Sequence, residues 1–439
     1  DPPAKLKDPY DKSWALSFSR LTHLIYSNNK TVAANSKYVR KPLVVNSENL
    51  ISTSLGDNSV LLSVSTYGEY SLQTCYSEGN YYTEIKNNIV GLFDDINVLK
   101  ASVDPTTNKT DDFDYEISHE LYNNLFSLIE KCAQNDKHVY IYLDPFLYGL
   151  PINALLTKSS TNLKNKNWFG VKYDYTILPY LGLLEKSFPN RELKSYLGVG
   201  NPDYQSSSDN YTFINIDDLV VTRGNGGFSK IENLTPLPST ENEIIESSKL
   251  FDKKSILLGK DATEENFRRT DYNKYDIIHF ATHGLVSGEI NRVKKPGLVL
   301  SFPETPENTM NDGYLSSDDI AELEFDGQLV ILSACNSALD SGSYYNFGLS
   351  ELSTSFLAAG AKTIVVSQWP IVSQTSADFM REYLKNIKLT DNKNALAGTI
   401  RNFTNNPKFA HPKYWAPFIP IGMHWGTSNK KRQKFQTVC

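Results

Sequence analysis

From residue 138 onward the apolar positions fall into short continuous runs. These are HVYIYL (138–143), SYLGVG (195–200), KSILLG (254–259), DIIHFA (276–281), QLVILSA (328–334) and KTIVVSQ (362–368). Short β-branched runs that are apolar throughout, rather than alternating, predict parallel strands covered on both faces. Between them apolar residues recur at helical spacing. STENEIIESSKLF (239–251) opens on Ser239 with Asn242 and Glu243 in the first turn, close to a capping box. EENFRRT (264–270) is a short helix. GLSELSTSFLAAG (348–360) stripes Leu349, Leu352 and Phe356 and stops at Gly360, and SADFMREYLKNI (376–387) stripes Phe379, Met380, Tyr383, Leu384 and Ile387. Strand–helix alternation of this kind implies a mostly parallel α/β sheet flanked by helices.

Upstream the rhythm differs. Residues 10–27 have near-helical spacing, with Trp14, Leu16, Phe18, Leu21, Leu24 and Ile25 as the apolar positions. Residues 50–75 alternate in short runs split by GDN and YGEY, which predicts a hairpin or meander. Residues 83–99 and 118–133 read as helices, and the polar stretch 102–112 between them as a loop. Two further polar stretches, 206–227 and 291–315, read as long loops that order only in an active state.

The chain has 439 residues, more than one ordinary domain needs, and its 40% apolar and 21% charged content is an ordinary globular balance. A net charge of -6 gives no argument for direct nucleic-acid binding, and KKRQK (430–434) reads as a solvated basic tail. No run of 18 apolar residues suggests a membrane span and no signal peptide opens the chain. The start DPPAKL, without Met, fits a piece of a longer protein. Cys75, Cys132, Cys335 and Cys439 are too sparse for a disulfide scaffold and lack metal spacing, so a reducing cytoplasm is expected and neither metal nor cofactor is implied.

The candidate chemistry lies at two strand ends. YDIIHFATHG (275–284) ends on His283 and Gly284, and LVILSACNSA (329–338) runs into Cys335 among small residues. In an open parallel sheet, functional groups gather beyond the carboxyl ends of the strands. Neighbouring strands lie about 4.8 Å apart, so two such ends can bring an imidazole and a thiol into one cleft. The imidazole raises the thiolate fraction or protonates a leaving amine. The Gly284 and Cys335 amides are natural oxyanion donors. A lone cysteine is more often a buried small hydrophobe, but here it stands with a histidine 52 residues upstream, near the interval of about 50 seen in caspases. His279 reads as a structural mid-strand residue. His119, His138, His411 and His424 have no reactive partner in the sequence.

The motifs HFATHG, LVILSACNSA, GLSELSTSFLAAGAKTIVVSQWPI and PKYWAPFIPIG, in that order, resemble the CHAT domain, a caspase-like and separase-related group of cysteine peptidases. VYIYLDPFLYGLPINALL and YLGVGNPDY followed by LTPLPSTENEI extend the likeness upstream. The resemblance implies a pseudo-caspase half at 45–190 packed on an active half at 191–428. Residues 1–44 would be a helical remnant of a TPR array and 429–439 the tail. It also implies His283 as general acid/base, Cys335 as nucleophile, and the Gly284 and Cys335 amides as oxyanion hole. The pocket for the residue before the cut would be walled by Asp203, Ser333 and the region from Trp369 to Ser373. Asp203 would read a basic side chain, yet WPIVSQ lacks the acidic residues that many members carry after WP.

The implied function is a cysteine endopeptidase that cleaves particular partner proteins once activated, in a prokaryotic defence or signalling system. The activator would be a partner complex, such as a CRISPR-type ribonucleoprotein. The alternative is a catalytically silent CHAT scaffold that only binds partners. A serine hydrolase is disfavoured because no GxSxG occurs.

Overall fold

The computed structural model describes residues 51–425, except 52–54, 56–57, 68, 88, 105–111, 134–136, 162, 164–166, 190, 205–219, 224–226, 231–233, 235, 286–289, 292–294, 303–311, 334–350, 370–372 and 391–393. Among these residues the strands are β1 (Ser59–Tyr67), β2 (Tyr70–Ser77), β3 (Asn80–Lys86), β4 (His138–Leu143), β5 (Tyr175–Ile177), β6 (Ser195–Pro202), β7 (Val220–Arg223), β8 (Gly227–Lys230), β9 (Lys253–Gly259), β10 (Ile277–Ala281), β11 (His283–Leu285), β12 (Ile290–Asn291), β13 (Gly297–Val299), β14 (Tyr314–Ser316), β15 (Leu329–Leu332), β16 (Thr363–Ser367) and β17 (Phe418–Gly422).

Eleven of these strands form one sheet in the order β3-β2-β1-β4-β5-β17-β16-β15-β10-β6-β9. The block β16-β15-β10-β6-β9 is parallel throughout. β1, β4 and β5 form a second parallel block, edged by the antiparallel ribbon β1-β2-β3. β17 runs antiparallel to β16 and is also a neighbour of β5, so the end of the chain closes the seam between the two blocks.

Successive side chains of a strand face opposite sides, and β10 shows where each side leads. His279 faces Tyr196 and Glu243, beneath the helix Pro238–Ser248, while Phe280 faces Phe267 and Phe356 on the helices Glu264–Arg269 and Glu351–Ala358. Both faces are therefore covered, which is why the strands read as unbroken apolar runs. Gly198 and Gly200 in β6 let the first of these helices sit close. A Cβ on either would come within 2.6 and 2.7 Å of Ile244. The glycines of YLGVGNP thus serve helix–strand packing.

Several expectations are corrected. The stretch 83–99 is not one helix: its start belongs to β3, and a helix forms only at Leu92–Val103. β3 pairs along its length with β2, and this tertiary ladder overrides a weak helical pattern. The helix expected over 118–133 is broken into Tyr115–Leu125 and Ile129–Cys132. Ser239 does not cap its helix. That helix begins at Pro238, whose fixed φ and missing N–H suit a first turn. The stretches 206–227 and 291–315 are not all loop, since the first supplies β7 and the second β13 and most of β14. Cys75 and Cys132 are not free thiols but form a buried disulfide between β2 and the helix Ile129–Cys132. The cysteine count therefore no longer argues for a reducing compartment. No helix among the described residues is long and apolar enough to cross a membrane. The helix expected at 10–27, the stretch 206–219, Cys335 and the tail 429–439 lie outside the described residues.

Candidate active site

All five strands of the larger parallel block end on one rim. Asp203 follows β6, His283 follows β10, Ser333 follows β15 and Trp369 follows β16. The chain leaves β10 at Thr282, and His283 opens β11 in a small separate sheet, β11-β13-β14. There His283 stands opposite Val299, and Gly284, which is buried, opposite Leu298. Thr282 Oγ1 donates to the Val299 carbonyl, and the Tyr204 hydroxyl lies 3.0 Å from that Oγ1. Because Thr282 spends its proton on the carbonyl, Tyr204 is the donor in the second bond. Burial pushes the Tyr204 phenol up to about 12, so it keeps its proton for that bond. The Tyr204 ring also lies 5.3 Å from the His283 imidazole, tilted by 47°. The half-exposed histidine is thus held on a braced hairpin.

β15 lies beside β10, with Phe280 level with Leu332. His283 comes three residues after Phe280 and Cys335 three residues after Leu332. Ser333 is the last described residue of this strand end, and its amide donates to the Phe280 carbonyl at 3.0 Å. Covalent geometry keeps a residue two positions further on within about 7 Å of it.

Beneath the rim sits a buried polar network that ties the motifs together. His279 is fully buried, and its Nδ1 lies 2.8 Å from the Tyr196 hydroxyl. Its Nε2 lies 3.1 Å from Ser333 Oγ and 3.1 Å from Glu243 Oε1. Burial raises the Tyr196 phenol well above its usual range, so Tyr196 donates to Nδ1. We therefore assign the proton to Nε2, where it points at Ser333 and only grazes Glu243. Glu243 comes from LPSTENEI, His279 from HFATHG, and Ser333 stands two residues before Cys335. In the same manner the Asn201 amide donates to Thr240 Oγ1 at 2.8 Å and its side-chain amide to Glu241 at 2.9 Å. Asn201 adopts φ +45°, the left-handed region, at a bulge where β6 ends.

The candidate pocket residues have distinct settings. Asp203 is half-buried and its amide donates to Ser301 Oγ at 2.8 Å. Ser333 has its hydroxyl engaged by His279. Trp369 is only 1% exposed, and its carbonyl accepts from Ser367 Oγ at 2.6 Å, so its ring packs below the rim in this state. Residues 370–372 lie outside the described residues. The strand ends bring Asp203, His283 and Ser333 to one edge, and Trp369 underlies it. The network through Glu243 and Tyr196 was not anticipated; the buried face of that helix carries Thr240, Glu243, Ser247 and Ser248 beside Ile244, so no apolar stripe marks it.

Residues 116–423 match the profile of the CHAT domain, and the chain belongs to that family. Tetratricopeptide repeat protein 28 of Homo sapiens is 26% identical over 317 residues, which is 65% of this chain and 12% of that protein. The Mus musculus protein of the same name is 28% identical over 214 residues, 43% of this chain and 9% of its own length. The chain thus spans about a tenth of these relatives. In the Saccharomyces cerevisiae separase–securin complex, the structure aligns over 86% of this chain and 31% of the matched chain, with TM-score 0.50 and 11% identity. At that identity the likeness is one of fold: a caspase-like, mostly parallel sheet flanked by helices.

Proposed function

We propose that the protein is a cysteine endopeptidase of the caspase and separase type. The observation that carries this reading is the common rim of two adjacent parallel strands, one running on to His283 and the other to Cys335. In this reading the Cys335 thiolate attacks the scissile carbonyl carbon. The resulting oxyanion accepts hydrogen bonds from the Gly284 and Cys335 amides. The C–N bond then breaks, and His283 delivers a proton to the departing amine. Water, deprotonated by His283, next attacks the thioester, and the thiolate leaves as the acid product forms. Asp203, at the end of β6, is the candidate reader of a basic residue before the cut.

Substrates in this reading are partner proteins, cut after a switch. An activating partner, of which a CRISPR-type ribonucleoprotein is one form, and a role in defence or signalling belong to the same proposal. They rest on the sequence resemblance alone.

The test compares the full-length protein, expressed with its genomic neighbours, with its Cys335→Ala counterpart by mapping new protein N-termini. New termini that need Cys335, and that also vanish in His283→Ala, are the expected result. An identical set of termini in all three samples, together with no labelling of Cys335 by an electrophilic peptide probe, would transfer the protein to the scaffold class.

A further inference from the structure

A second cluster of reactive side chains lies away from the rim just described. His138 is the first residue of β4, Asp174 immediately precedes β5, and His424 follows β17. Because Gly422 pairs with Thr363 at the start of β16, His424 sits at the rim opposite His283. β4, β5 and β17 are consecutive in the sheet, so the three residues meet at the seam between the two parallel blocks.

His138 Nδ1 lies 2.9 Å from Asp174 Oδ2, and His424 Nδ1 lies 3.9 Å from the same oxygen. The two imidazoles stack with centroids 3.8 Å apart and planes 19° apart. Two near-parallel rings therefore turn their Nδ1 edges to a single carboxylate oxygen. One nitrogen from each ring and one carboxylate oxygen all fall within 4.8 Å of one another. Two ligands of a tetrahedral zinc ion, each about 2.0–2.1 Å from the metal, stand ~3.3 Å apart. The observed 2.9 and 3.9 Å bracket that spacing, and turning the rings out of their stack would aim both in-plane lone pairs at one ion.

A second observation concerns His138 alone. Its side chain is 4% exposed, and its Nε2 is buried with no hydrogen-bond partner among the described residues. Nδ1, turned to Asp174, is therefore the ring nitrogen placed to bind an ion, and Nε2 is the one that faces the core.

The surroundings also hold the ligands in place. The Val139 amide donates to the Asp174 carbonyl at 2.9 Å, and the His424 amide to the Tyr140 hydroxyl at 3.4 Å. The Tyr140 ring meets His138 edge-on at 4.8 Å.

We propose that His138, Asp174 and His424 form a binding site for a divalent transition-metal ion of the zinc class, with water completing the coordination. Two imidazoles and one carboxylate are a ligand set suited to such ions and poorly suited to calcium or magnesium. The ion would join β4 and β5 to β17 and so couple the two blocks of the sheet. The site is independent of the proposed peptidase chemistry.

The test uses the full chain with Cys335→Ala, which removes that thiolate as a competing ligand. Zinc retained after dialysis is measured by elemental analysis, and Co²⁺ is titrated while the visible absorption is recorded. About one equivalent of metal is expected, with a tetrahedral cobalt spectrum free of thiolate charge transfer. His424→Gln and His138→Gln should each weaken binding at least tenfold, and chelation should lower the melting temperature of the parent protein but not of the double variant. Absence of both retained zinc and a cobalt spectrum in the parent would overturn the proposal. So would undiminished binding in a double variant with unchanged circular dichroism. The measurement on the parent decides the matter even if the variants do not fold.

Discussion

Glu264 illustrates how one buried side chain sets the pH response. It opens the helix Glu264–Arg269 and is fully buried, with Oε1 accepting from Arg268 at 2.7 and 3.0 Å while Oε2 has no partner among the described residues. Desolvation outweighs the guanidinium and pushes the carboxyl up to about 8, and nearby Asp312 is pushed up to about 6 for the same first reason. The folded state therefore keeps a proton that the unfolded chain has released. This contribution is complete below the usual 4.5 and is lost as pH rises through about 8. Stability should fall between pH ~5 and ~9, and Glu264→Gln should flatten that fall by on the order of 1–3 kcal/mol. Urea unfolding of both proteins at the two pH values checks this, and equal slopes would exclude Glu264 as the source.

At the level of elements, the strands that were legible are those whose environment is uniform. β4, β10, β15 and β16 are buried on both faces, so their composition alone marks them. β3 was missed because none of its residues is fully buried and its ladder is made with β2. The positions of His283 and Ser333 at one rim followed from strand order. The link between Glu243 and His279 did not, because a side-chain contact between a helix and a strand leaves no periodic trace. The network makes a prediction. His279→Leu leaves the buried Tyr196 hydroxyl and Ser333 Oγ without their imidazole partner and should cost about 1–3 kcal/mol. Adding Tyr196→Phe removes the stranded hydroxyl and should recover part of the loss, a coupling that a double-mutant cycle measures. Additive losses would mean that Tyr196 does not depend on His279.

For the whole molecule, what matters is whether the two parallel blocks behave as one body. Their seam is made by residues far apart in the chain, which is why neither it nor the His138–Asp174–His424 cluster could be read from sequence. Asn153, fully buried, donates to the carbonyls of Ala416 and Phe418 at 3.1 and 2.7 Å and accepts from the Tyr175 hydroxyl at 2.9 Å. Gln368 donates to the carbonyls of Tyr148 and Leu150 at 2.9 and 3.2 Å. β17, carried by the C-terminal part of the chain, completes the sheet against β5. Separating the blocks would expose an apolar strand edge and leave these buried amides unpaired, so unfolding one without the other is costly. Calorimetry should therefore record a single cooperative transition for the chain. Asn153→Ala leaves two carbonyls and a hydroxyl without their partner and should lower stability by about 2–4 kcal/mol while keeping the transition single. Two resolved transitions in the parent protein would show that the continuous sheet does not couple its halves, and that a switch acting on one block need not reach the other.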